Sequence, residues 1–151
     1  MIKIKSEKMK TTKLILASLF AAMAFTSCSN DDSEEKQAIP TIDKIELGLN
    51  NSETATIGSD FHFNAEVTAV DKIENVQVKI LQRSTETYSK VWSHEITWTQ
   101  YAGAKNATVH KHFDIPEDAA EGKYDFIIIV NDQNGTKLEV KKNLTITTQK
   151  I

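Results

Sequence analysis

The sequence predicts an all-β fold in which two antiparallel sheets pack as a sandwich. From Pro40 onward the apolar residues recur at every second position, which is the period of a strand buried on one face. Clusters of glycine, proline, asparagine and aspartate interrupt this alternation about every 12 residues. No stretch of this region shows the 3.6-residue period of an amphipathic helix.

Seven segments carry the alternation, and each is predicted to form a strand. They are residues 42–49, 61–69, 73–80, 91–101, 108–115, 124–130 and 138–146. The sixth segment is apolar on both faces at Ile127–Val130, which is typical of a central strand that is covered on both sides. Irregularities are expected near Lys44 in the first strand and at Lys141–Asn143 in the last.

The turns indicate the kind of sandwich. Pro116–Gly122 predicts a corner, because proline cannot donate to a ladder and glycine accepts a positive φ. Tyr124 follows this corner, as in the tyrosine corner of immunoglobulin-type sandwiches, where the phenol bonds back to the backbone. Asn134-Gly135 is expected to supply positive φ angles to a hairpin turn at 131–135. These features and the seven strands predict an immunoglobulin-like β-sandwich.

The N-terminal segment predicts export and a lipid anchor. Residues 1–27 begin with several lysines and continue with an apolar run from Leu14 to Phe25, the order of a cleaved secretory signal peptide. Cys28, the only cysteine, follows where a bacterial lipoprotein signal is cut and lipidated. The run is shorter than the about 20 residues of a membrane-spanning helix. The alternative is a plain secretory signal that is cleaved near Ala24.

The chain is therefore divided into a signal peptide (1–27), a lipidated cysteine with an acidic linker (28–39) and a sandwich domain (40–149). Ser29–Gln37 has no apolar residue to bury, so this stretch is predicted to be a disordered tether. An acidic run directly after a lipidated cysteine resembles the export signal of Bacteroidetes lipoproteins. That resemblance implies the cell-surface side of the outer membrane, and the alternative is the periplasmic face.

The charge of the mature chain argues against some partners. Residues 1–27 contain five of the 18 lysines and arginines and one of the 21 acidic residues, so the remaining chain has a formal net charge of −7. Binding to nucleic acid is not expected of so acidic a chain. With Cys28 lipidated, no thiol remains for a disulfide. The roughly 110 residues after the linker suffice for one hydrophobic core.

Three of the four histidines are predicted to share one sheet face. The alternation places His62 on the polar face of the second strand, and His110 and His112 on that of the fifth. These two strands are neighbours in an immunoglobulin-type sandwich. Residues two apart lie about 6.6 Å apart along a strand, so the rings can reach one ion, with Glu66 or Asp114 as an additional oxygen ligand. Such ligands suit zinc, copper or nickel. The alternative is an ordinary solvent-exposed polar face.

Other candidate residues have simpler interpretations. His94 shares the parity of Trp92 and Trp98, and it is expected to be partly buried and hydrogen-bonded. The two tryptophans and Tyr101 offer a platform for a sugar ring, but the shared parity of the tryptophans favours the core. Asp132 has too few neighbouring oxygen ligands for calcium, so turn formation explains it better.

No catalytic residue set is recognised in the sequence, and the protein is not expected to be an enzyme. Neither a Gly-x-Ser-x-Gly elbow, a phosphate-binding glycine loop nor a His-Glu-x-x-His motif is present. A binding role is expected instead. Besides metal binding, the alternative is an adhesion module that recognises protein or glycan through loops at the ends of the sandwich, such as 82–90 and 101–105.

Four segments carry a resemblance to a known family. They are Gly58–Phe63, His110–Pro116, Gly122–Phe126 and Val130–Gly135. In these segments the chain resembles small Bacteroidetes lipoproteins that contain an immunoglobulin-like domain of unknown function. The resemblance implies the fold and an envelope location, and it implies no established activity. The family has histidine where Asp125 stands here, so this chain departs from the family pattern at that position.

Overall fold

A computed structural model describes residues 37–149 of the chain. The predicted signal peptide, Cys28 and most of the linker lie outside these residues. The described residues form eight strands: β1 (Thr41–Leu47), β2 (Thr54–Thr56), β3 (Asp60–Thr68), β4 (Ile73–Gln82), β5 (Ser93–Trp98), β6 (Asn106–Asp114), β7 (Gly122–Asp132) and β8 (Lys137–Thr147). Within the same range the helical content is a single 3₁₀ turn at Leu49–Asn51. No helix between residues 37 and 149 is long and apolar enough to cross a membrane.

The strands form two sheets of a sandwich. One sheet has three strands in the order β1-β3-β6, and the other has five in the order β2-β8-β7-β4-β5. All neighbours are antiparallel except β2 and β8, which pair in parallel. The predicted all-β sandwich is therefore confirmed, with eight strands in place of seven. β7 lies inside the five-stranded sheet, as its apolar sequence predicts.

The additional strand is β2, which has too few residues to show an alternation in the sequence. It is held by pairing with β8, where Thr54 lies opposite Thr145. The chain leaves the three-stranded sheet after Leu47 and joins the other sheet only seven residues later. Gly48 permits this crossing, because its φ is +71° and a Cβ there would lie 2.5 Å from Oγ of Ser52.

Aromatic side chains from both sheets fill the space between them. Phe126 of β7 lies against Phe61 and Phe63 of β3, with ring centroids 5.9 and 5.7 Å apart. Phe63 also stacks on Trp98 at 5.7 Å. Trp92 and Trp98 are only 7% and 9% exposed. Their place in the core is therefore confirmed, and they do not form an exposed platform for a sugar.

The tyrosine corner forms as the sequence predicts. The buried phenol of Tyr124 donates a hydrogen bond to the carbonyl oxygen of Ala120 at 2.7 Å. Burial raises the pKa of this phenol. Tyr88 packs on Tyr124 with ring centroids 5.1 Å apart, so the loop between β4 and β5 is held against the corner. A Cβ on Gly122 would lie 2.6 Å from the Tyr88 ring.

Asp132 connects two turns at one end of the sandwich. Its carboxylate is 1% exposed and accepts hydrogen bonds from the backbone N–H groups of Val70 (2.6 Å), Asp71 (3.1 Å) and Asn134 (3.0 Å). Burial alone raises the pKa of this carboxyl, but the backbone hydrogen bonds together lower it below its usual value. Asp132 thus acts in turn formation, as expected. In the adjacent hairpin turn only Gly135, and not Asn134, has a positive φ.

The irregularity expected at Lys141–Asn143 does not take the form of a bulge. The pairing of β7 with β8 is continuous from Gly122 opposite Ile146 to Asn131 opposite Lys137. Lys142 takes an inward-facing position opposite Phe126 in this regular ladder. The apolar stem of a lysine can line the edge of a core while the amine reaches water, so the alternation continues through a charged residue.

Candidate functional site

Three histidines lie together on the outer face of the three-stranded sheet. His62 of β3 is directly opposite His112 of β6, and His110 is opposite Asn64, one outward position further along. Phe63, between His62 and Asn64, is fully buried in the core. Because side chains alternate across a strand, the burial of such residues turns the histidines outward. The pairing of β3 with β6 confirms that the two strands are neighbours, as the sequence predicts.

The three imidazole rings contact one another. The ring centroids are 5.0 Å apart for His62 and His110, 5.0 Å for His62 and His112, and 5.3 Å for His110 and His112. One nitrogen of each ring lies within 4.8 Å of the other two. Nδ1 of His62 and Nε2 of His112 are 3.3 Å apart. Two ligands of a tetrahedral ion with metal–nitrogen bonds of 2.0–2.1 Å are separated by about 3.3–3.4 Å, so this pair has the required spacing.

Carboxylates lie at the remaining nitrogens of two rings. Nδ1 of His112 is 2.6 Å from Oδ2 of Asp60, and Nε2 of His62 is 3.6 Å from Oε2 of Glu46. Each carboxylate is thus on the opposite side of its ring from the nitrogen that faces the other histidine. Metal-binding histidines commonly donate their second N–H to a carboxylate, which orients the ring and makes the ligating nitrogen more basic.

A β-bulge in β1 places Glu46 on this face. Asp43 and Glu46 are three residues apart, but their partners on β3 are only two apart. Lys44 lies within the bulge and has a φ of +49°, so the expected irregularity is confirmed. If the same residues continued the regular pairing from Asp43, Ile45 would face outward in place of Glu46, and Leu47 would leave the core. The bulge therefore serves the core and brings a carboxylate to the histidines.

Glu66 and Asp114, the expected oxygen ligands, do not join the histidines. Nζ of Lys44 is 2.8 Å from Oε1 of Glu66, and this hydrogen bond and the charge of Glu66 raise the pKa of the lysine. Asp114 lies opposite Asp60, one outward position beyond His112. Within residues 37–149, the only group of histidine, cysteine, aspartate or glutamate with metal-ligand spacing is formed by the three histidines. Alternation places both carboxylates on the correct face, each one outward position beyond the histidines. Glu66 pairs with Lys44. Asp60, directly opposite Asp114, is the carboxylate that contacts His112.

Sequence reasoning missed the two carboxylates that do contact the rings. Asp60 was detectable, because it precedes His62 by two residues on the same strand and therefore shares its face. Glu46 was not detectable in this way, because the exact length of the bulge decides its parity.

The features named for other functions lie in the core or beside it. His94 is partly buried, as expected, and it stacks on Trp92 with ring centroids 6.0 Å apart and on Phe113 at 6.4 Å. Its contacts within the described residues are these ring stacks and not the expected hydrogen bond. Lys111 covers the edge of the core, with Nζ 5.8 Å from the ring centroid of Trp98. Trp98 is buried and the three histidine rings converge, so within the described residues these three side chains are the ones that could hold a metal ion.

The fold and this face define a class of protein, an all-β sandwich domain with a three-histidine cluster on the outer face of one sheet. The chain belongs to the family described as Domain of unknown function (DUF4625), which matches residues 26–147. The resemblance to a family of unknown function is confirmed at this level. No curated protein matches the chain in sequence.

Solved structures with a similar fold have very different sequences. One is the crystal structure of a Niemann-Pick type C2 protein from Japanese carpenter ant, with a TM-score of 0.51 and 11% identity, covering 73% of this chain and 94% of that one. Another is Spo0M, a sporulation control protein from Bacillus subtilis, with a TM-score of 0.44 and 10% identity, covering 75% of this chain and 51% of that one. The first likeness supports the sandwich fold and extends to the fold alone.

Proposed function

We propose that this protein is a lipid-anchored protein of the cell envelope whose sandwich domain binds one divalent transition metal ion through His62, His110 and His112. The observation that carries the proposal is the approach of one nitrogen from each ring to within 4.8 Å of the other two. Imidazole nitrogen is a preferred ligand of zinc, copper and nickel. Of these ions, zinc and copper are the expected occupants.

The surroundings of the histidines support a metal more than an ordinary polar face. A polar face needs only contact with water, and its side chains are free to separate. Here three inclined rings contact one another, with centroids 5.0–5.3 Å apart, and the outer nitrogens of His62 and His112 face Glu46 and Asp60. The two carboxylates also bring negative charge close to a divalent cation, which favours its binding electrostatically.

Metal retention by the histidine variants tests the proposal. Protein purified without a histidine tag is dialysed to equilibrium against zinc or copper near neutral pH, and the bound metal is measured. We expect about one equivalent in the natural protein and a large loss in His110→Ala, because two ligands remain of three. His94→Gln is the matched control, since it removes a histidine outside the cluster. No retention, or equal retention in His110→Ala, would reject the metal site.

The sequence of residues 1–37 supports the anchor and the envelope location. A basic start, an apolar run and a cysteine that follows small residues suit signal cleavage and lipidation at Cys28. Radiolabelled palmitate is expected to enter the natural protein and not Cys28→Ala. Incorporation that is equal in the two proteins would contradict lipidation at Cys28. Protease treatment of intact cells then distinguishes the cell surface, which we propose, from the periplasmic face.

A further inference from the structure

The three-histidine cluster has fewer donors than zinc or copper takes. Within the described residues the group comprises three imidazole nitrogens and no carboxylate or thiolate. A structural zinc site in a protein has four protein ligands, whereas a site with three protein ligands keeps its fourth position for water or an external ligand. The count of ligands therefore leaves one coordination position for a group from outside the cluster.

Asn64 is the neutral residue next to the histidines in the pairing register, and its side chain is not a strong fourth ligand for zinc or copper. It lies on the same outward face, two residues after His62 on β3 and directly opposite His110 on β6. Its side chain offers an amide oxygen, a ligand that suits magnesium, calcium or manganese and not the ions that imidazole prefers. An ion bound to the three rings is thus left without a strong fourth donor at this position.

The cluster is open to solvent on its outer side. His110 is exposed, and the side chain of His112 is 51% exposed, whereas that of His62 is 15% exposed. His62 is less exposed because β3 lies between β1 and β6. The sheet would therefore shield a bound ion from water on its inner side. The remaining position of a tetrahedral ion then points away from the sheet and into water.

From these observations we infer that a metal ion held by His62, His110 and His112 keeps one exchangeable position, which binds a small monodentate anion. The inference rests on the proposed function. Three neutral imidazoles leave the charge of a divalent ion uncompensated among its direct ligands. Asp60 and Glu46 lie behind the rings and do not occupy the open position. An anion from solvent gains from this charge, displaces a bound water, and forms one bond to the metal without any change of oxidation state.

Azide binding to the copper(II) form tests the inference. Full-length protein without a histidine tag is loaded with copper(II) and dialysed, and azide is added while the visible absorption and electron paramagnetic resonance spectra are recorded. The expected result is a saturable azide-to-copper charge-transfer band at one azide per copper. Absence of retained copper together with absence of retained zinc overturns the proposed function itself. Retained copper without an azide band overturns only the open position, since the fourth ligand then comes from the protein.

Asn64→His provides a matched variant that closes the site. The new imidazole stands on the same face as the other three, so it competes for the fourth position as an intramolecular ligand. Copper is expected to remain bound, and azide is expected to bind at least about tenfold more weakly because an attached ligand has a high effective concentration. Azide binding of unchanged strength in this variant would overturn the assignment of the open position to the histidine cluster.

Discussion

Replacing Asp132 with alanine removes the buried carboxylate that joins two turns. Three backbone N–H groups, from Val70, Asp71 and Asn134, donate to this one side chain. Val70 and Asp71 belong to the turn between β3 and β4, and Asn134 belongs to the turn between β7 and β8. The substitution therefore leaves donors in both turns without their acceptor. The backbone bond from the N–H of Gln133 to the carbonyl oxygen of Lys72 then remains between the turns.

The expected cost follows from the number and kind of these hydrogen bonds. A hydrogen bond to a charged group contributes about 1.5–3 kcal/mol to stability. The three bonds share one carboxylate, so their contributions do not add in full, and water can reach some of the released N–H groups. We expect Asp132→Ala to lower the free energy of unfolding by about 3–5 kcal/mol. That is a large part of the free energy of unfolding of a typical domain, which is about 5–15 kcal/mol.

The stability lost in Asp132→Ala should also depend on pH, and it should be smaller in acid. The pKa of Asp132 is lower in the folded protein than its ordinary value of 3.8. The ionised carboxylate therefore stabilises the fold fully above the pKa of the unfolded chain, and this contribution is lost as the pH falls through the lower folded pKa. The difference in stability between the natural protein and Asp132→Ala should be constant from pH 8 to about 5 and should shrink in acid.

Urea denaturation of both proteins across this pH range measures the difference directly. Other carboxyl groups titrate in both proteins, so they cancel in the comparison. Asp71→Ala is the control, because its side chain is exposed in the same turn, and it should change stability by no more than about 0.5 kcal/mol. A cost of Asp132→Ala below about 1 kcal/mol at pH 7, or a difference that is equal at neutral and acid pH, would refute the reasoning.

Three further predictions concern the corner, the site and the glycines. Tyr124→Phe keeps the buried ring and removes its hydrogen bond, so the free energy of unfolding in urea should fall by about 1–2 kcal/mol, and an unchanged value would show that the bond does not contribute. Asp60→Ala should weaken metal binding by about 10–100-fold in a chelator competition, whereas Glu66→Ala should not; equal weakening would contradict the assigned role of Asp60. Gly122→Ala should lower stability by about 2–5 kcal/mol, because a Cβ there would overlap a tyrosine ring and alanine would be strained at a φ of +145°. Gly135→Ala, at a positive φ in open space, should cost only about 1–2 kcal/mol, and equal losses of melting temperature in the two glycine variants would argue against the overlap.

Alternation predicted most of the fold because most strands have one buried and one exposed face. Phe61 and Phe63 are apolar and His62 between them is polar, so burial of the two phenylalanines decides where the histidine points. The corner before Tyr124 was equally predictable, because proline and glycine restrict the backbone there and the phenol needs a partner when it is buried. β2 was not predictable in this way, since its three residues are held by pairing with a distant strand.

The sequence by itself determined seven of the eight strands and, wherever the pairing is regular, which face each side chain takes, because side chains alternate at a period of two. It also determined that His62, His110 and His112 share a face once β3 and β6 are neighbours. Only the tertiary structure decided how far along that face each group stands. Register depends on pairing between distant segments and on the single extra residue at Lys44. For that reason Glu46 lies beside His62. Asp60 and Asp114 share one register position, and the side-chain contacts decide that Asp60 pairs with His112.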